Sequence, residues 1–207
     1  MSDQDQRPAP SRRALWDERH AAREPIESYE PDPTLIHEIG SLRPGHALDL
    51  GAGDGRNAVW LANQGWQVTA VDFSQVALDR GRALATARGV RVEWRLADLL
   101  EWKPGASRYE LVTLFFIHLP PDERRDVYGR AAAAVAVGGT LLVVGHDRTN
   151  LEDGVGGPQD PEVLITPGEV VAGLAGFRVD RAETVRRQAP DGRGPIDTIV
   201  RAVRAAD

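Results

Sequence analysis

Short apolar runs alternate along this chain with longer segments whose apolar positions recur every three or four residues. HALDL (46–50), QVTAVDF (67–73), RVEWRL (91–96), ELVTLFFI (110–117) and TLLVVG (140–145) are the runs, of a length that suits buried strands. Between them stand segments of helical period. One runs from about Asn57 to Gln64. A second is QVALDRGRALATARG, with Val76, Leu78, Leu84 and Ala87 apolar, and a third is alanine-rich, opening near Pro121 and stopping at Gly138. Proline is tolerated in a first helical turn, and glycine ends a helix. The alternation predicts an α/β fold, doubly wound, with a mostly parallel sheet covered by helices on both faces.

The pattern changes towards the end. TPGEVVAGLAG (166–176) reads as a short helix with Thr166 as N-cap and Pro167 just inside it. FRVDRAETVRR and IDTIVRAVRA follow as two strands around the turn-rich APDGRGP. That hairpin-like finish brings the expected strands to seven and places one antiparallel strand near an edge. Residues 1–207 read as a single domain. Within it, 1–12 are expected to be a flexible tail, 13–40 an N-terminal helical cap, and 148–165 a lid-like loop longer than an ordinary connection.

Composition narrows the class. There is no cysteine, which leaves no disulfide framework, thiolate metal site or cysteine nucleophile. A net charge of −6 gives no global pull towards nucleic acid. No apolar run approaches the roughly 18–20 residues of a bilayer span, and MSDQDQRPAP lacks the apolar stretch of a signal peptide. A cytoplasmic enzyme working on a small molecule, with neither nucleic acid nor membrane as partner, is the expectation; oligomeric state is left open.

LDLGAGDGRNAVWLA (48–62) carries the first chemistry. Gly51, Gly53 and Gly55 let the chain turn sharply between strand and helix and let a ligand approach the backbone, while the following helix aims its free N–H groups at the same place. Dinucleotide sites use G-x-G-x-x-G; here the spacing is G-x-G-x-G, with Asp49 two residues ahead. Asp72 ends the second strand about 20 residues on, where an acid can accept both hydroxyls of a ribose. Its plainer role is to cap the helix that begins near Ser74. Asp98, in RLADLL, repeats the placement one strand further out.

LDLGAGDG, VDFS, LADLL and ELVTLFFIHLP together resemble the motifs of the class I S-adenosylmethionine-dependent methyltransferases, over about His46 to Asp147. The resemblance implies a Rossmann-like sheet and S-adenosylmethionine as cofactor. It also implies that Asp49 and the glycines hold the methionine moiety, that Asp72 holds the ribose, that Phe73 and Leu99 flank the adenine, and that Asp98 bonds its amino group. Ala52, Asn57, Ser74, Ala97 and Phe115 complete the implied cofactor set. WDERH (16–20) with GRN (55–57) is similar to a small-molecule branch that includes tellurite-resistance and thiol methyltransferases. On that likeness Arg19 pairs with the cofactor carboxylate, with Arg56 as the competing candidate.

Methyl transfer from a sulfonium is an in-line displacement that needs positioning, exclusion of water and, for some acceptors, a base. His118 follows the fourth strand and His146 the fifth; either can take a proton near neutral pH. IHLPPDE lacks the Asn/Asp-Pro-Pro-aromatic motif of enzymes that methylate exocyclic amines, and the paired-glutamate loop of arginine methyltransferases is missing. Metal-assisted catechol methylation would draw on Asp147 and Asn150, but His118 stands where the other acid is expected, so no metal is predicted. The acceptor is expected to be small and partly apolar, with Trp16, Tyr29, Phe115 and Phe116 as aromatic walls. A nicotinamide oxidoreductase on the same sheet, or a non-catalytic binder of the cofactor, are the rival readings.

Overall fold

A computed structural model describes residues 11–22, 30–189 and 193–206. In chain order it forms α1 (Arg12–Ala21), α2 (Pro33–Ile39), β1 (His46–Leu50), α3 (Arg56–Asn63), β2 (Gln67–Asp72), α4 (Gln75–Ala87), β3 (Val92–Leu96) and β4 (Tyr109–Phe115). Then come α5 (Pro121–Ala134), β5 (Val135–His146), α6 (Asn150–Asp153), a 3-10 turn (Pro161–Val163), α7 (Pro167–Ala172), β6 (Phe177–Arg186) and β7 (Ile196–Arg204). Among these no helix is long and apolar enough to cross a membrane.

All seven strands join one sheet in the order β3-β2-β1-β4-β5-β7-β6. The first five pair in parallel, and β7 runs antiparallel to both neighbours. The expected antiparallel strand is therefore second from the edge. Alternation along the strands divides the core. Leu48, Val112, Leu114, Leu141 and Val143 meet α5 through Val127 and Ala131, and α7 and the turn after it through Val170 and Leu174. Ala47, Leu111, Phe115 and Leu142 meet α2 and α3 through Leu35, Ile39, Ala58 and Leu61 on the other face. Strand order reverses between β1 and β4, so the connections leaving their carboxyl ends go to opposite faces. That divergence opens a crevice.

Three expectations are corrected in detail. The alanine-rich helix stops at Ala134 rather than Gly138, because Val135 is already extended (φ −66°, ψ 130°) and pairs with Tyr109; β-branched residues favour that conformation. Gly138, with φ 76°, turns within β5. The segment 13–40 is not one cap. It holds α1, capped by the Ser11 hydroxyl, and α2, capped by the Asp32 carboxylate with Pro33 behind it, while 23–29 and with them Tyr29 lie outside the described residues. Lastly, 148–165 is not irregular throughout. It contains α6 and the 3-10 turn and is tied down along its length: Ile196 N donates to Asn150 Oδ1 (2.7 Å), Arg124 donates to the Glu162 carbonyl (2.9 Å), and Leu164 and Ile165 are buried.

Candidate functional site

The crevice is a cavity of about 640 Å³ at the carboxyl ends of β1, β2, β4 and β5. Asp49, Gly51, Ala52, Gly53, Arg56, Asn57, Asp72, Phe73, Asp98, Leu99, Phe115, His118 and His146 all line it, as do Trp16 and Phe116. Arg19, Gly55, Ser74 and Ala97 do not, and each has another task. Arg19 lies over the Trp16 ring, 5.1 Å from its centroid. Gly55 (φ 76°) starts α3 and is pressed onto Trp94, whose ring leaves no room for a Cβ. Ser74 caps α4 by accepting from Ala77 N. Ala97 N donates to the Asp72 carbonyl.

The glycine loop works differently from a cradle of free amides. Gly51 N and Ala52 N both donate to the Val71 carbonyl, and Gly55 N donates to Ala52 O. Gly53 N donates to Asp72 Oδ2 (2.8 Å). These amides are spent on holding the loop against β2. Gly51 makes room for a neighbouring side chain, since a Cβ there would fall 2.1 Å from Ile117 Cδ1, whereas a Cβ on Gly53 would stand at ordinary contact, 3.5 Å from the His20 ring. The unsatisfied donors belong to the first turn of α3, which has no side-chain cap.

Two buried acids anchor this end. Asp49 is 1% exposed; its Oδ1 accepts from Thr113 Oγ1 (2.8 Å), and its Oδ2 has no partner among the described residues. Burial pushes the carboxyl up to about 7, against the pull of the Thr113 hydrogen bond. Burial also raises the Asp72 carboxyl, although Ser74 N and Gly53 N both donate to it. Asp98 accepts from Leu100 N (2.9 Å) and lies 3.8 Å from the Arg12 guanidinium. For the two arginines proposed to bind a carboxylate, only Arg56 reaches the cavity, and it also lies 3.4 Å from Asp32.

Helix α1 crosses the mouth. Arg12 bonds Glu123 on α5 (2.9 Å), Ser74 Oγ donates to Asp17 (2.5 Å), and His20 Nδ1 lies 2.5 Å from Asp54 Oδ1, both side chains buried. Arg12, His20 and Asp54 line the cavity, and none was singled out from the sequence. The His20–Asp54 pair joins positions 34 apart inside two quoted motifs, WDERH and GAGDG, but spacing alone gives no sign that they meet.

At the far end lie the histidines. Their rings stack at 5.7 Å with planes 3° apart, and Phe116 leans on His146 at 5.0 Å. Burial, with help from nearby His146 and Arg19, pushes His118 down to about 4, so it stays neutral at physiological pH; its Nε2 has no partner among the described residues. Asp147 and Asn150 point elsewhere. Asp147 accepts from Thr149, Thr184 and Thr198 hydroxyls, and these bonds hold its carboxyl low against the opposing effect of burial. Asn150 bonds Ile196 N and the Gly156 carbonyl. Both serve the 148–165 segment. Among the described residues, no three His, Cys, Asp or Glu side chains come together as a metal site would require.

Residues 47–139 match the family model of a methyltransferase domain. That match, the strand order and the acids at the strand ends make the chain similar to the class I S-adenosylmethionine-dependent methyltransferases. More particularly, it is 28% identical over 182 residues to a 2-heptyl-1-hydroxyquinolin-4(1H)-one methyltransferase from Mycobacteroides abscessus, covering 78% of this chain and 79% of that one. Other curated relatives are matched over about half their own length or less, among them a ubiquinone biosynthesis O-methyltransferase from Coxiella burnetii at 28% identity, 52% of this chain and 46% of that one. A magnesium protoporphyrin IX methyltransferase from Synechocystis PCC 6803, solved with bound SAH, shares the fold (TM-score 0.64, 17% identity, 83% and 80% of the two chains). The residues present fit the cofactor. Asp49 Oδ2, without a partner among the described residues, suits an ammonium, and Gly51, Ala52 and Gly53 line the cavity where a ligand would lie across the loop.

Proposed function

We propose that this chain methylates a small, planar aromatic acceptor, with the cofactor over Gly51–Gly53 and the acceptor between Phe115, Phe116, His118 and His146. The observation that carries the reading is the continuity of one cavity from the two buried acids to the aromatic end. When bound, S-adenosylmethionine supplies an electrophilic methyl group. Asp49 would take its ammonium, Asp72 its ribose hydroxyls, and Phe73, Asp98 and Leu99 its adenine. Phe115 and Phe116 would wall the acceptor and exclude water, which strengthens every polar interaction inside.

The quinolone named for the M. abscessus relative supports an aromatic acceptor. The likeness of WDERH to the tellurite-resistance and thiol branch supports a thiol instead, but Trp16 and His20 of that motif stand at the mouth beside the glycine loop. Purified protein incubated with S-adenosylmethionine and 2-naphthol, 2-heptyl-1-hydroxyquinolin-4(1H)-one, thiophenol or aniline is expected to release S-adenosylhomocysteine with an aromatic hydroxyl. Calorimetry that found no binding of S-adenosylhomocysteine would overturn the placement of the cofactor.

A further inference from the structure

His146 and Asp197 face each other across the antiparallel pair β5–β7, as direct register partners at its last rung. His146 Nδ1 lies 3.0 Å from Asp197 Oδ1. A carboxylate only accepts, so Nδ1 is the protonated nitrogen and Nε2 keeps its lone pair. Asp197 is almost fully buried and is held in turn by Arg187, whose Nε is 2.7 Å from Oδ2. The same guanidinium lies over the Phe116 ring at 5.3 Å. Three side chains, one from strand β7 and two from the segments that follow β4 and β6, thus surround one imidazole.

A second observation concerns the packing of that ring. A Cβ on Gly157 would stand 2.8 Å from His146 Cδ2 and 3.1 Å from both Cγ and Nε2. The loop backbone therefore packs against the ring at Cδ2, where only glycine fits, while His146 itself lines the cavity. His118 has no such arrangement: among the described residues no carboxylate orients it, and its low pKa makes it a poor base.

We propose that Asp197, braced by Arg187, is a positioning residue that makes His146 the base of the reaction, and that the acceptor is accordingly an aromatic hydroxyl still protonated near neutral pH. This rests on the methyl-transfer reading above. In the step, the acceptor O–H proton passes to His146 Nε2. The oxygen's electron pair forms the new O–CH3 bond while the S–CH3 bond breaks and its pair returns to sulfur. The product ether leaves, and the imidazolium gives its proton to solvent. The groups that face His146 are Asp197 and Arg187 from the β7 side and His118 from the β4 side, with Arg19 acting on His118.

The test is Asp197→Asn in the full chain. An asparagine that turns its amide nitrogen to Nδ1 donates where the carboxylate accepted, so the ring flips to the Nε2–H tautomer and loses its base. Nitrogen-15 imidazole spectra should show Nδ1–H in the wild type and Nε2–H in the variant. This reading needs no turnover, so it decides even if a chosen acceptor is not methylated. With 2-naphthol as acceptor, kcat should fall about 100-fold or more, the lower bound for removing a general base. KM should hardly change, and the acidic limb of the pH–rate profile should vanish. An Nε2–H ring in the wild type, or an unchanged profile in Asp197→Asn, would overturn the assignment. If Asp197→Asn fails to fold, Arg187→Met leaves the carboxylate in place and should lower kcat several-fold with the same tautomer. Calorimetry with S-adenosylhomocysteine separates the two levels of the argument: unchanged affinity in Asp197→Asn is expected, whereas no affinity in the wild type condemns the methyl-transfer reading and leaves the tautomer result standing.

Discussion

Asp49 and Thr113 are register partners across β1 and β4, and their 2.8 Å hydrogen bond satisfies one carboxylate oxygen while the other has no partner among the described residues. A buried acid in that position, with its pKa raised to about 7, must lose a proton before it can pair with an ammonium. The affinity for S-adenosylhomocysteine is expected to climb with pH below about 7, by at most roughly tenfold per unit, and then to level off. Calorimetry between pH 5 and 8.5 in buffers of different ionisation enthalpy should detect the proton released. A flat profile would remove Asp49 from the ammonium site.

The same shift has a stability side. The folded carboxyl titrates above its unfolded value, so ionising it costs the folded state. In the ligand-free protein this loss sets in as pH rises above about 4 and is complete past about 7. Asp49→Asn should therefore flatten the dependence of Tm on pH between 5 and 8.

Asp72→Ala is expected to weaken S-adenosylhomocysteine binding by about 1.5–3 kcal/mol, the scale of hydrogen bonds to a charged group and roughly 10- to 150-fold in Kd. Since Asp72 also accepts from Gly53 N and Ser74 N, Tm should fall too. A folded variant that binds as well as wild type contradicts the ribose assignment.

Gly55→Ala tests packing rather than binding. A left-handed alanine costs about 1–2 kcal/mol, and a Cβ 2.3 Å from Trp94 Cη2 forces the indole to move, at a typical cost of about 1–3 kcal/mol. Chemical denaturation should show a loss of a few kcal/mol. A neutral result would mean that Trp94 shifts freely.

Hydrogen exchange should distinguish the two covering segments. Residues of α1 line the cavity, whereas none from 148–165 does; the loop reaches the site through Gly157 at His146. Cofactor product alone should slow exchange in α1, and 148–165 should respond only when an acceptor is added. Identical exchange in all states would leave closure without support.

What was legible in the sequence was local. Strands of alternating or continuous apolar residues, the glycine turn and acids at strand ends need only neighbours within a few positions to be recognised. The alanine-rich stretch misled because alanine favours helix so strongly that Val135 and Val137 went unweighed. The ties that finish the site are not local. His20 meets Asp54, and His146 meets Asp197, only because α1 packs back against α4 and the loop after β1 and because β7 enters in one register. A shift of one residue in that register would turn Asp197 to the opposite face, and no short motif encodes it.

The reversal of strand order between β1 and β4 also partitions the molecule for anyone wishing to redesign it. The groups assigned to the cofactor are drawn mainly from residues 49–99, on one side of the reversal, and those assigned to the acceptor from 115–118, 146, 157, 187 and 197, on the other. Substitutions without shared contacts tend to add independently. Ile117 packs on Gly51 and so belongs to both sets; a library confined to the rest of the second set could explore new acceptors while the affinity for the methyl donor is inherited, and a selection for tighter donor binding could proceed on the first set away from Gly51.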